Sequence, residues 1–180
     1  MRISNHFPKS RKVPMTDLST MPQFVISRHF DAPIERVFDA WADIERYADW
    51  SGPKGSKVET ISGAIAVGSH LHSTVSHPDM PPMYTWCVYR EIDRPRRIVW
   101  EQSFADADGN ITSPPFFEHW PRVLLTEIDF VEKDGGTELT LRWTPIEATP
   151  EALEMFVSQM ASMTGGWSGS FDELAEYLAD

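Results

Sequence analysis

The chain's apolar residues follow one rhythm, then another, then return to the first. Gln23-Phe-Val-Ile-Ser-Arg-His-Phe30 is rich in β-branched and aromatic residues and predicts a strand. Asp31-Ala-Pro33 stops it and opens a helix, with Pro33 suited to the first turn, where a missing N–H costs nothing. Ile34, Val37, Phe38 and Trp41 then fall at i, i+3, i+4, i+7, the spacing of one buried helical face. Asp43 is placed to cap a second short helix with Ile44 and Tyr47 on its inner side, and Trp50-Ser-Gly-Pro53 ends the pair.

From Lys57 to Ile146 the period drops to two. Strands are predicted over 57–65, 68–77, 83–93, 96–104, 122–133 and 136–145, with tight turns at Asp93-Arg-Pro95 and Lys133-Asp-Gly-Gly136. Consecutive strands joined by short turns make an antiparallel meander. In the last hairpin Leu124, Thr126, Ile128 and Phe130 share a face with their partners Leu139, Leu141 and Trp143. Glu127, Asp129, Glu138, Thr140 and Arg142 take the other, so one face is buried and one wet. Residues 105–121 interrupt the alternation. Asp106-Ala-Asp-Gly-Asn110 is a turn, and Ser113-Pro-Pro-Phe-Phe-Glu-His-Trp-Pro121 is an aromatic loop too long for a simple hairpin. That loop reads equally as a functional element or as an aromatic plug on the edge of the core.

Helical spacing returns after Thr149-Pro150, a good cap followed by proline at the first helical position. Leu153, Phe156, Val157, Met160, Met163, Trp167, Phe171, Leu174, Ala175 and Leu178 form an unbroken stripe. Gly165-Gly166 lies inside it and predicts a kink or a close backbone approach. The order is one strand, two short helices, six strands and one long helix. A curved antiparallel sheet of about seven strands cannot bury its inner face on itself, so the C-terminal helix must lie across it. The fold class is α+β.

Composition narrows the setting. A chain of 180 residues suits one domain, taken as 21–180, after a polar, basic tail over 1–20 that holds Pro8 and Pro14 and no apolar period. Met15 and Met21 are alternative starts. The formal net charge of -11 opposes binding to nucleic acid or to an anionic membrane surface. No stretch approaches the roughly 18 apolar residues of a membrane span. No apolar segment follows Arg2, Lys9, Arg11 and Lys12 as a secretory signal requires, and the lone Cys87 fits a reducing compartment, so a cytoplasmic location is expected. Cys87 sits in the apolar run Tyr84–Tyr89 and reads as a small buried hydrophobe rather than a nucleophile.

Polar candidates are few. His70 and His72 share a strand face and would hold a metal only with His77 as a third ligand; Leu71 and Val75 read as the inward face, which turns both histidines to solvent, so no metal is expected. Arg90 and Glu91 are adjacent in a strand, so one of them should point inward and need a partner, as should one of Arg28 and His29. Glu118 and His119 could form an acid/base pair, with a solvated loop as the plainer reading. There is no glycine-rich phosphate loop and no nucleophile elbow, and no cofactor is expected.

Ser27-Arg-His-Phe-Asp-Ala-Pro33 with Val37-Phe-Asp-Ala-Trp41, then Trp50 with Gly52-Pro53, come in a recognisable order. Tyr89-Arg-Glu-Ile92 followed by Pro95, Arg97-Ile-Val-Trp100, Gly136-Thr-Glu-Leu-Thr-Leu141 and Gly166-Trp-Ser-Gly-Ser-Phe-Asp-Glu-Leu174 complete it. In these the chain resembles bacterial proteins similar to the C-terminal domain of the activator of Hsp90 ATPase (AHSA1-like), within the START-like, Bet v 1-like (SRPBCC) superfamily. Where such proteins often carry an acidic-arginine-glycine stretch, this chain reads Ser62-Gly-Ala-Ile-Ala-Val-Gly68. The resemblance implies a helix-grip fold with a cavity between sheet and long helix. Related folds carry lipids, sterols, plant hormones and polyketides, and some catalyse cyclisation without a cofactor; fold alone does not assign function. The cavity lining expected here is Trp86, Trp100 and Trp143 from strands, Phe117 from the loop, and Phe156, Met160, Met163 and Trp167 from the last helix. Methionines give an adaptable wall and tryptophans an aromatic one, although the same stripe would serve as plain core. The leading expectation is a binder or sensor of a small hydrophobic molecule. A cofactor-free cyclase or hydrolase comes next and an Hsp90-type co-chaperone last, with a homodimer left open.

Overall fold

The computed structural model describes residues 18–52 and 55–180. Residues 1–17, with most of the expected tail and Met15, lie outside them, as does Pro53. Leu18–Thr20 make one exposed 3-10 turn before the first strand.

The elements follow the expected order. Strand β1 (Phe24–Phe30) leads into helices α1 (Ile34–Ala42) and α2 (Ile44–Trp50). Strands β2 (Lys57–Gly63), β3 (His70–His77), β4 (Met80–Asp93), β5 (Arg97–Ala105), β6 (Val123–Lys133) and β7 (Gly136–Glu147) come next. Helices α3 (Pro150–Ser158) and α4 (Met160–Ala179) close the chain. All seven strands form one antiparallel sheet in the order β1-β7-β6-β5-β4-β3-β2. The meander leaves the β7 edge open, and β1 pairs there from Phe24 opposite Trp143 to Phe30 opposite Thr137. The helices lie on the concave side, as the helix-grip fold requires.

Local chemistry explains the helix starts. Asp43 accepts the backbone N–H groups of Glu45 and Arg46, and Thr149 accepts that of Ala152. Pro33 stands one residue outside α1 rather than in its first turn, with extended backbone and its carbonyl accepting from Arg36 and Val37.

Two details correct the expectations. The C-terminal stripe is not one helix: it is interrupted at Gln159, not at the glycines. The Gln159 N–H is shared among the carbonyls of Met155, Phe156 and Val157, so the last turn of α3 tightens before α4 begins. Gly165 and Gly166 stay helical, because glycine lowers helix propensity without removing a backbone hydrogen bond. The second detail is a bulge. Tyr89 opposes Trp100 and Glu91 opposes Val99, which leaves Arg90 as the extra residue in β4. Both Arg90 and Glu91 are therefore exposed, and neither points into the core; Arg90 pairs with Glu101 at 2.6 Å instead.

The closed half of the core lies over β1, β7 and β6. Phe38 meets Phe130 edge-on at 5.3 Å and Phe30 meets Phe171 at 5.9 Å. Leu139, Leu141, Ile128, Phe156 and Leu174 around them have no solvent exposure. The other half of the concave face, over β5 to β2, is not filled in this way.

Candidate ligand cleft

Period-two alternation points one set of side chains from three strands into the unfilled half. Leu71, Ser73 and Val75 come from β3; Met83, Thr85, Cys87 and Tyr89 from β4; Trp100, Gln102 and Phe104 from β5. Tyr47 and Trp50 of α2 and Trp143 of β7 stand at one side. Helix α4 roofs the space with Met163, Gly165, Gly166, Trp167, Gly169 and Ser170, and then Asp172, Glu173 and Glu176. The cleft, open to solvent on one side, measures about 770 Å³, within the range of small-molecule sites. It stays open partly because the α4 flank above it lacks side chains: a Cβ added at Gly165, Gly166 or Gly169 would meet nothing within 4 Å.

The wall beside α2 is aromatic. Buried Trp41 lies 4.6 Å from Trp50, 6.0 Å from Trp167 and 6.3 Å from Trp100, and Trp143 meets Trp167 edge-on at 5.3 Å. The Trp50 indole N–H donates to the Ala40 carbonyl at 2.8 Å, and that of Trp100 to Gln102 Oε1 at 3.3 Å. The buried Nε1 of Trp143 finds no acceptor among the described residues.

The polar groups deep in the cleft are neutral. Ser73 and Thr85 hydroxyls bond each other at 3.0 Å. Burial pushes the Cys87 thiol up to about 12. Burial, reinforced by a negative charge on Cys87 were it to ionise, raises the phenols of Tyr47 and Tyr89 well above their ordinary value of 10.0. Tyr47 keeps some accessible surface because it faces the cleft, yet protein surrounds it. These groups offer hydrogen bonds. Among the described residues, carboxylates enter the lining only from the later turns of α4.

Of the eight residues expected at the lining, Trp100, Trp143, Met163 and Trp167 stand there. Trp86 does not. With Cys87 and Tyr89 inward, alternation puts Trp86 on the outer face, where it stacks on His70 at 4.3 Å and packs under Gly109. Phe156 and Phe117 belong to a separate plug: Phe117 stacks on Trp120 at 4.8 Å, and Trp120 reaches Phe156 at 6.0 Å. Met160 packs against the core outside the lining. The neighbour of Phe117, Phe116, reaches the cleft instead. Leu71 and Tyr47, read from the sequence as inward-facing, also stand at the wall, as do Trp50, Tyr89 and Phe104, for which the sequence reading named no inward role; the parity of Tyr89 with Cys87, and of Phe104 with Trp100, is the available signal.

The remaining candidates fall elsewhere. His70 and His72 do face outward, but His72 is buried, not solvated: the turn after β5 covers it, with Nε2 3.0 Å from the Asp106 carbonyl. No group of three metal-ligating side chains occurs among the described residues. Arg28 points inward at the sheet edge and pairs with Asp172 of α4 at 2.7 Å, while His29 faces out beside Asp31. Glu118 and His119 are exposed and outside the lining. No described helix is long and apolar enough to cross a membrane.

Comparison with known proteins agrees with this architecture. Protein Ms6760 from Mycobacterium smegmatis superposes with a TM-score of 0.72 at 24% identity, over 90% of this chain and 93% of that one. A protein from Staphylococcus epidermidis gives 0.70 at 25% identity, over 89% and 93%. The AHSA1 protein SPO3351 from Silicibacter pomeroyi gives 0.66 at 16% identity, over 88% and 98%. No curated protein sequence matches the chain. The sequence profile of the family described as "Activator of Hsp90 ATPase homolog 1-like protein" matches residues 31–179, and the chain belongs to that family.

Proposed function

We propose that the protein binds a small, predominantly apolar molecule in the cleft between β2–β5 and α4. One observation carries the reading: a space of about 770 Å³ remains where a packed core would be, walled by Trp50, Trp100, Trp143 and Trp167. Protein interiors close-pack, and a half-open space of this size leaves apolar walls facing water instead. A guest that removes its own apolar surface and that of the walls from water recovers about 25 cal/mol per Å² buried. The unpartnered Trp143 N–H, the Tyr89 phenol and the Ser73–Thr85 pair give orientation by hydrogen bonding. A cofactor-free enzyme would need a group deep in the cleft that takes up a proton near neutral pH. Hydroxyls, a thiol held protonated and an amide do not supply one, so carriage or sensing is the better reading. Native mass spectrometry of the protein purified from its own host tests it. A reproducible non-covalent adduct, lost on denaturation, is expected. Its absence, together with no binding of apolar probes by calorimetry, would overturn the proposal.

A further inference from the structure

If the cleft holds an apolar guest, as proposed for it, the polar atoms on its sheet floor select among such guests. Tyr89 is only 5% exposed and lines the space, and its hydroxyl makes no hydrogen bond among the described residues. An indole N–H can only donate, so the bond from Trp100 turns the Gln102 amide oxygen toward that ring and leaves the amide NH2 without an acceptor among the described residues. Ser73 and Thr85 share one bond, which spends one of their two hydroxyl protons. The unspent capacity of the floor is therefore weighted toward donors. Solvent meets that demand while the cleft is open. A pure hydrocarbon that displaces the solvent strands the Tyr89 hydroxyl, whereas a guest carrying an acceptor replaces what it removes. No lysine, arginine or histidine lines the cleft among the described residues, so an anionic acceptor finds no counter-charge there. The burial that holds Tyr47, Cys87 and Tyr89 protonated opposes a carboxylate among them as well. An ammonium head would bring only further donors. Tyr89, Trp100, Thr126 and Trp143 are successive partners across β4, β5, β6 and β7, so they form one inward row. The Tyr89 and Trp100 rings lie 5.8 Å apart, and Trp167 stands 5.3 Å from Trp143 at the far end. At about 4.8 Å per strand the row runs about 14 Å from Tyr89 to Trp143, long enough for a fused-ring body.

We infer that the natural ligand is an uncharged apolar molecule with a carbonyl oxygen at one end, the oxygen accepting from the Tyr89 hydroxyl and the body lying over Trp100 toward Trp143 and Trp167. Plain hydrocarbons and apolar carboxylates are the disfavoured classes, the first for the donor they strand and the second for the charge they bury.

Calorimetric titration with acetylnaphthalene, ethylnaphthalene, naphthylethanol and naphthylacetate tests this, because the four share one apolar body. The parent is compared with a Tyr89→Phe variant that keeps its thermal midpoint. Reading one probe on both proteins cancels what that probe gains by leaving water. In the variant acetylnaphthalene is expected to bind about tenfold more weakly, while ethylnaphthalene holds or gains affinity. Naphthylethanol, whose own proton also needs a partner, should lose less than the ketone. On the parent, naphthylacetate should bind at least about tenfold more weakly than acetylnaphthalene. The infrared carbonyl stretch of bound acetylnaphthalene should lie below its frequency in an apolar solvent and return toward it in the variant. If ketone and hydrocarbon change alike, or neither changes, the carbonyl does not sit at Tyr89 and the inference fails while the apolar reading stands. Carboxylate binding as tight as that of the ketone overturns the uncharged class. If none of the four binds, the inference falls together with the apolar reading.

Discussion

At the scale of single residues, the cleft is defined as much by missing side chains as by those present. Gly166 illustrates this. Its Cβ position is empty to 4 Å, and it lies in the middle of α4. A Gly166→Leu side chain therefore projects into the cleft without displacing backbone. Removing glycine from a helix interior stabilises it by up to about 1 kcal/mol. The variant is expected to melt no lower than the parent while binding naphthylethanol at least about tenfold more weakly. Thermal unfolding beside calorimetry checks the pair, and a loss of stability with unchanged binding would contradict the roof geometry. Trp86→Leu is the converse case. It removes a ring that packs on His70 and His72 on the outer face, so stability should fall by about 1–2 kcal/mol while probe affinity stays the same. The residue scale is also where the sequence was hardest to read. Trp143 follows the alternation of its hairpin inward, whereas Trp86 was expected inward and the register of β4 sends it out. The bulge at Arg90 is likewise set by pairing rather than by any local residue type.

At the scale of elements, far more was legible. The strands, α1, α2 and the start of α3 all follow from period and capping chemistry, since Asp43 and Thr149 make the hydrogen bonds their positions predict. The interruption at Gln159 was not legible, because no proline or glycine marks it and the apolar stripe runs through it. Helix α4 docks through Phe171, Leu174 and Leu178, all buried, while its other flank faces the cleft. This separation of roles predicts different outcomes for the two flanks. Phe171→Ala, at a position 1% exposed against Phe30, should cost about 3–5 kcal/mol in chemical denaturation. Thr149→Ala removes only the cap of α3 and should cost about 1 kcal/mol. Equal losses for the two would mean that α4 is not the element closing the core.

For the whole molecule, the unfilled half between sheet and helices has a signature in the pH dependence of folding. Tyr47, Cys87 and Tyr89 come from α2 and β4, meet in the same space, and are all held in their protonated forms by burial. The ordinary values are 9.0 for the thiol and 10.0 for the phenols, and these govern the unfolded chain. Above them the unfolded state sheds protons that the folded state keeps, so it binds fewer protons and stability falls as pH rises. The loss should begin near pH 9 with Cys87 and steepen above pH 10 as the phenols join. Each group contributes a limiting slope of about 1.4 kcal/mol per pH unit until its folded-state value is reached. Below pH 8 these three groups contribute no slope, since both states are protonated. Cys87→Ala should remove the first phase and leave the second. Chemical denaturation between pH 8 and 11 reads both phases directly, and the Tyr89→Phe variant should flatten the upper one in turn. A flat profile across that range would mean that water already reaches these groups in the folded protein. The space beneath α4 would then be a solvated groove, with no dry wall for an apolar guest.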